Sequence, residues 1–247
     1  MTEDSLPPPA TSERQYRILI ELGRGGTSDV YLAVVDGSGG FNKLVVLKAL
    51  KPEIARDRAA RRLFLSEARL SARLNHPNIV QVNEVIEQSG IPIIVMEYLE
   101  GRSLAEILER GRERLPLGLH LRVLSDALRG LHYSHDLCDY DGTPLRVVHR
   151  DMSPHNVLVT FEGQVKILDF GLAKVAGTAD SQSGVLRGRL HYMAPDQLSE
   201  DRALDRRADV YAVGVMLWEA AAGQRLWNDV SEPVVMRRVL EGRLPRP

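Results

Sequence analysis

Apolar positions in the first third of the chain come in short runs broken by glycine. YRILIELG (16–23) precedes a glycine cluster, VYLAVVD (30–36) resumes the pattern, GSGG (37–40) interrupts it, and KLVVLKAL (43–50) follows. Short β-rich runs with such punctuation predict antiparallel hairpins. From 53 to 74 the period changes. Ala60, Leu63, Phe64, Leu70 and Leu74 recur at three- and four-residue steps, which predicts an amphipathic helix. IVQVNEVIE (79–87) and IPIIVMEYL (91–99) predict two further strands. After Glu100 the pattern turns helical, in SLAEILERG (103–111) and LGLHLRVLSDALRGLHYSHD (117–136). A short hairpin-like part follows (VVHRD, NVLVT, GQVKILD), then a loop rich in Gly, Ser and Thr over 171–191. ADVYAVGVMLWEAAAG (208–223) and VVMRRVLEG (234–242) predict helices. A small β-rich part followed by a larger helical one predicts an α+β chain of two lobes with a cleft between them.

Composition narrows this picture by exclusion. The chain of 247 residues is 44% hydrophobic and 26% charged, as expected for a globular domain with an ample core. A net charge of −1, with acidic and basic residues interleaved, gives no electrostatic ground for a nucleic-acid partner. The single cysteine, Cys138, excludes an internal disulfide framework and points to a reducing, cytoplasmic setting. No apolar run has the length of a membrane span. The first 15 residues are acidic and Pro-rich, with neither the basic nor the apolar region of a secretory signal. They read as a disordered leader.

Two charges break their local patterns. Lys48 interrupts the apolar run LVVLKAL, and on a strand it points the same way as Val46 and Leu50. Glu67 falls on the apolar stripe of its helix. A charge aimed at a core is costly unless paired. Either the two pair with each other or both snorkel to the surface. The cluster LGRGGTSDVYLA (22–33) sits between strands, where glycine lets backbone N–H groups approach a phosphate or simply makes a hairpin turn. It is no Walker A loop, and the strand after it excludes a dinucleotide fold. Asp151, Asn156 and Asp169 carry oxygens near strand ends, suited to Mg2+ or to turn formation.

Taken in order, these features resemble the eukaryotic-type protein kinases, in the style of the bacterial Ser/Thr enzymes, from about Tyr16 to the C-terminus. The Gly-rich loop is Gly23-x-Gly25-x-x-Ser28-x-Val30, with Ser28 in place of the usual third glycine. The strand lysine stands in Val45-Val46-Leu47-Lys48, and Glu67 matches the glutamate of the main small-lobe helix. His149-Arg150-Asp151 through Asn156 matches the catalytic loop, Asp169-Phe170-Gly171 the metal-binding triplet, and Ala194-Pro195-Asp196 the usual Ala-Pro-Glu. Asp209 and Gly214 match the opening of the central large-lobe helix.

The resemblance implies a small antiparallel β lobe with one main helix (16–99) and a larger helical lobe (100–247). It implies ATP as phosphoryl donor, Mg2+ (with Mn2+ as an alternative) and protein substrates. Lys48, held by Glu67, would bind the α- and β-phosphates. Asn156 and Asp169 would hold the metal, and Asp151 would orient the acceptor hydroxyl and take its proton. Leu22, Gly23, Gly25, Gly26, Ser28, Val30, Val46, Met96, Glu97, Leu99, Ser103 and Leu158 would form the ATP site, with Met96 as gatekeeper. Val46 replaces the usual alanine, which should narrow the adenine slot without closing it. A hydrophobic column of Ser71, Val82, Phe170 and His149 should be loosely packed at Ser71, so that the helix bearing Glu67 needs help to hold its position.

Three departures bear on activity. Ser153 stands where Ser/Thr kinases carry a lysine near the γ-phosphate, and Arg189 stands where they carry a threonine, so Arg189 is expected to restore the missing charge. Asp196 is one methylene shorter than the family's glutamate. The chain ends at Pro247, before the last helices of the family, so the large lobe is expected to be incomplete. The apolar face of its central helix, near Trp218 and Trp227, would then be open to a second copy or a partner. Thr178, Ser181 and Ser183 are the phosphorylation candidates, with Arg150 as phosphate anchor. The resulting reading is an ATP-dependent Ser/Thr protein kinase that also modifies its own activation loop. The alternatives are a truncated or pseudokinase-like nucleotide-binding scaffold and a small-molecule kinase. Tyrosine specificity is disfavoured.

Overall fold

The structure, a computed structural model, describes residues 15–40, 42–111, 115–170, 190–199 and 204–245. Strands β1 (Gln15–Arg24), β2 (Ser28–Asp36), β3 (Asn42–Leu50), β4 (Val82–Gln88) and β5 (Ile91–Glu97) form an antiparallel sheet in the order β1-β2-β3-β5-β4. Gln15, read as part of the leader, already pairs with Asp36. The turn between β1 and β2 requires glycine. Gly25 N–H donates to Ser28 O at 2.8 Å, and a Cβ on Gly25 would lie 2.9 Å from that oxygen.

The alternation along β3 gives the sheet two apolar faces. Val45 and Leu47 join Ala33, Val35, Ile93 and Val95 on one face. Val46 and Leu50 join Ile94 and Met96 on the other, where Phe64 and Ala68 of the main helix pack. The helix expected over 53–74 is two helices, α1 (Pro52–Ala55) and α2 (Arg58–Ser71). Asp57 separates them, because its carboxylate caps α2 by accepting the Ala59 N–H at 2.8 Å. Leu74 lies beyond the helix yet is fully buried in the main core.

The larger lobe starts with a second sheet, β6 (Gly101–Ser103), β7 (Val157–Thr160) and β8 (Val165–Ile167), in that order. Helices α3 (Leu104–Gly111) and α4 (Leu117–His135) pack against it, α5 (Arg207–Ala222) packs on α4, and α6 (Glu232–Leu240) follows. Strand β6 was not expected. Its residues have no β pattern, and it exists because its backbone pairs with β7. The segment 147–151, read as hairpin-like, forms no strand. Val147 and Val148 are buried, and the N–H groups of His149 and Arg150 bond to a side chain instead of a ladder.

The lobes meet through residues 78–80. Asn78 O accepts from Ile167 N–H, and Val80 N–H donates to Ile167 O. A side chain at Gly130 of α4 would run into Asn78 O at 2.9 Å, so α4 can sit this close only with glycine there. The tryptophans expected beside an open face are covered: Trp227 is buried, and half-buried Trp218 donates its Nε1 hydrogen to Pro245 O at 3.1 Å. Val210 and Leu217 are the exposed large apolar residues of α5. Among the described residues no helix is long and apolar enough to cross a membrane.

Candidate active site

A cleft of about 300 Å³ lies between the two sheets. Leu22, Gly23, Val30 and Val46 line it from the five-stranded sheet, and Leu158 and Leu168 from the other side. Met96, Glu97, Tyr98 and Leu99 line its edge. Val46 therefore leaves an open apolar slot. Leu168, Tyr98 and Val80 were missed by sequence reading; Leu168 was legible as the neighbour of Asp169. Gly25, Gly26, Ser28 and Ser103 are not among the lining residues. Ser103 is occupied elsewhere, since its N–H and Oγ bond to Glu106 Oε2 at 2.9 and 3.0 Å at the start of α3.

Lys48 and Asp169 close the inner end of the cleft. Lys48 Nζ lies 2.9 Å from Asp169 Oδ1 and 3.3 Å from Glu67 Oε1, so the two pattern-breaking charges do pair. Burial alone would discharge the ammonium, but the carboxylates of Asp169 and Glu67 outweigh it and hold the lysine pKa above its ordinary value. Burial raises the Glu67 carboxyl above the usual range, and Lys48 offsets this only in part. Behind Met96 a cavity of about 10 Å³, room for one water, is lined by Ser71, Val82 and Phe170. This void borders Ser71, and the Lys48–Glu67 contact forms within the single chain nonetheless.

The segment carrying Asp151 is built around one buried carboxylate. Asp209 of α5, 1% exposed, accepts from His149 N–H at 2.8 Å and Arg150 N–H at 2.9 Å, with His135 Nε2 at 2.8 Å. These bonds hold Arg150 at φ 65°, a left-handed conformation that residues other than glycine seldom adopt. His149 Nε2–H donates to Leu168 O at 2.8 Å, and Nδ1 accepts from Asp151 N–H at 3.2 Å. Both ring nitrogens are used by a neutral imidazole, and burial accordingly depresses the His149 pKa. Asn156 Nδ2 donates to Asp151 O at 2.6 Å and Oδ2 at 3.2 Å. Asn156 and Asp169 supply oxygen donors of the kind a hard divalent cation takes together with phosphate and water.

Ser153 is 1% exposed, and its Oγ has no hydrogen-bond partner among the described residues. Arg189, Thr178, Ser181 and Ser183 lie outside the described residues. A further cluster went unnoticed in the sequence. Buried Tyr192 donates to Glu219 Oε2 at 3.0 Å and accepts from Arg225 Nη1 at 2.6 Å. Burial and the Glu219 carboxylate push the Tyr192 pKa up. The signal that singled out Glu67, a charge within an apolar helix, applies equally to Glu219 in α5.

The protein kinase domain family matches residues 16–243. The chain belongs to that family. It is 40% identical to the tyrosine-protein kinase MasK of Myxococcus xanthus, over 100% of this chain and 39% of MasK. It is 30% identical to the serine/threonine-protein kinase PrkC of Bacillus subtilis, over 94% of this chain and 34% of PrkC. The chain thus spans little more than a third of the length of these relatives. Among solved structures it resembles the kinase domain of PknI from Mycobacterium tuberculosis, with 30% identity and a TM-score of 0.62 over 92% of this chain and 80% of that one. The two-lobed fold is that of the protein kinases.

Proposed function

We propose that this chain is an ATP-dependent protein serine/threonine kinase. The observation that carries the reading is the Lys48 ammonium, fixed between Glu67 and Asp169 at the closed end of an apolar slot. The slot suits a flat aromatic base, and Glu97–Leu99 offer backbone groups at its edge. Lys48 would pair with the α- and β-phosphates. Asn156 and Asp169 would hold Mg2+, with Mn2+ as a substitute, and the bound metal would neutralise charge on the transferring phosphoryl group. Asp151, oriented through Asn156 and the Asp209-bound backbone, would align the acceptor hydroxyl and take its proton. Arg189 would supply the positive charge that Ser153 cannot. We assign residues 16–99 to the small lobe and 100–247 to the large one. The lone cysteine supports a cytoplasmic setting.

Acceptor choice rests on relatives such as PrkC, named as a serine/threonine kinase. Two observations favour tyrosine instead: the 40% identical relative is named a tyrosine kinase, and Ser153 removes the lysine that marks Ser/Thr enzymes. The test incubates the chain and its Asp151→Asn variant with labelled ATP, Mg2+ or Mn2+ and a generic basic protein, followed by phosphoamino-acid analysis. Label on serine or threonine from the parent alone supports the main reading. Label on tyrosine selects the second, and nucleotide binding without transfer selects a scaffolding module.

A further inference from the structure

The segment joining α4 to the Asp151 loop is a hairpin. Leu145 N–H donates to Leu137 O, Asp139 N–H donates to Thr143 O, and Gly142 takes a left-handed conformation at the turn. Leu137 and Leu145 pack on the main core, so the base of the hairpin is fixed to the large lobe. Its outer part grips the small lobe through Arg73, which directly follows the C-cap of α2. Arg73 Nη1 donates to Asp139 Oδ1 at 2.8 Å, and Nη2 donates to Cys138 O at 3.1 Å. The guanidinium carbon lies 4.4 Å from the ring centroid of Tyr140, a residue 94% exposed. Asp139 is pre-set for this role, since it also accepts its neighbour's N–H at 2.7 Å. A planar fork that meets a carboxylate, a carbonyl and a ring face at once has one orientation.

We propose that Arg73 and Asp139 are positioning residues for the Lys48–Glu67 pair. A single water-sized cavity borders both Ser71 and Glu67, a gap in the packing between α2 and the sheet. The hairpin supplies the missing restraint by pinning the end of α2 to the large lobe, which is the help that gap calls for. A rigid helix clamped at its C-terminal end transmits that restraint to Glu67 on the same helix. The inference rests on the phosphotransfer reading for its kinetic consequence, but not for its structural one.

The test compares Arg73→Ala, Asp139→Ala and the charge exchange Arg73→Asp with Asp139→Arg, in the 247-residue chain. Two readouts are taken: steady-state transfer from Mg-ATP, and amide hydrogen exchange of residues 58–71. Each single variant is expected to lower kcat roughly three- to tenfold, with little change in KM for ATP, and to speed exchange in α2 but not α4. The exchange of charges is expected to recover at least half of both effects. A surface staple without a positioning role would lower Tm while leaving kcat and α2 exchange unchanged, and that result overturns the proposal. So does a loss that the charge exchange fails to recover. If the parent chain transfers no phosphate, the phosphotransfer reading fails by itself, and the exchange of α2 still decides the latch.

Discussion

Lys48 Nζ sits closer to Asp169 Oδ1, at 2.9 Å, than to Glu67 Oε1, at 3.3 Å. The ammonium thus bridges the helix of the small lobe and the Asp169 that leads the Asp169-Phe170-Gly171 triplet. Lys48→Met removes the bridge and the only cation lining the cleft among the described residues. Transfer is expected to fall roughly a hundredfold or more, as when a fixed charge is taken from a developing anion. Stability should fall less, by about 1–3 kcal/mol, because the Asp169 carboxylate is partly open to solvent and only Glu67 is left buried without its partner. Labelled-ATP transfer and thermal melts of the same sample check both halves.

Asp209 is the organising carboxylate of the Asp151 segment, with three partners at 2.8–2.9 Å and almost no solvent. Asp209→Ala strands the His149 and Arg150 N–H groups in the interior. The expected cost is about 3 kcal/mol, or a Tm lower by about 6–12 °C for a chain of this size. Arg150 should then leave its left-handed conformation, and transfer should be lost even at temperatures where the variant is folded. Circular dichroism melts and activity at a temperature well below the new midpoint separate the two effects.

The sequence made the small lobe legible because its strands are marked by glycine and by a helix whose stripe carries one charge. Lys48 and Glu67 could be marked from pattern alone as charges that must either pair or snorkel, and the geometry decides for pairing. The break at Asp57 was missed because a capping carboxylate looks like any polar residue on a helix face. Strand β6 and the irregular 147–151 segment were missed for a common reason: their backbone partners, β7 and Asp209, are distant in sequence. Ser103 does not line the cleft because its hydroxyl turns to Glu106, which motif position cannot show. The hairpin over 137–145 left no mark beyond a turn sequence, Asp-Tyr-Asp-Gly, whose significance depends on Arg73 of the other lobe.

His149 gives the fold a dependence on pH with a definite sign. Burial depresses its pKa below the ordinary value of 6.5, and its two ring bonds suit the neutral form. Below that ordinary value the unfolded chain takes up a proton that the folded chain resists. The stability from this group is complete above about pH 6.5 and declines as the pH falls, by at most about 1.4 kcal/mol per pH unit. His149→Gln should lower Tm near neutrality and flatten its decline between about pH 7 and pH 5.5. A residual slope is expected from His76 and His191, whose pKa values burial also lowers.

Ser153 and Arg189 should respond in opposite ways. The Ser153 hydroxyl is buried and makes no hydrogen bond among the described residues. Replacing such a group by a methyl costs nothing in lost bonds and relieves an unsatisfied dipole. Ser153→Ala is therefore expected to keep transfer within about twofold and to leave Tm unchanged or slightly higher. If Arg189 carries the charge that the family's lysine normally supplies, Arg189→Ala should lower kcat roughly a hundredfold, and Arg189→Lys should recover part of the loss. Equal turnover in Arg189→Ala and the parent chain would mean that the charge near the γ-phosphate comes from elsewhere, and that Ser153 is a loss without a replacement.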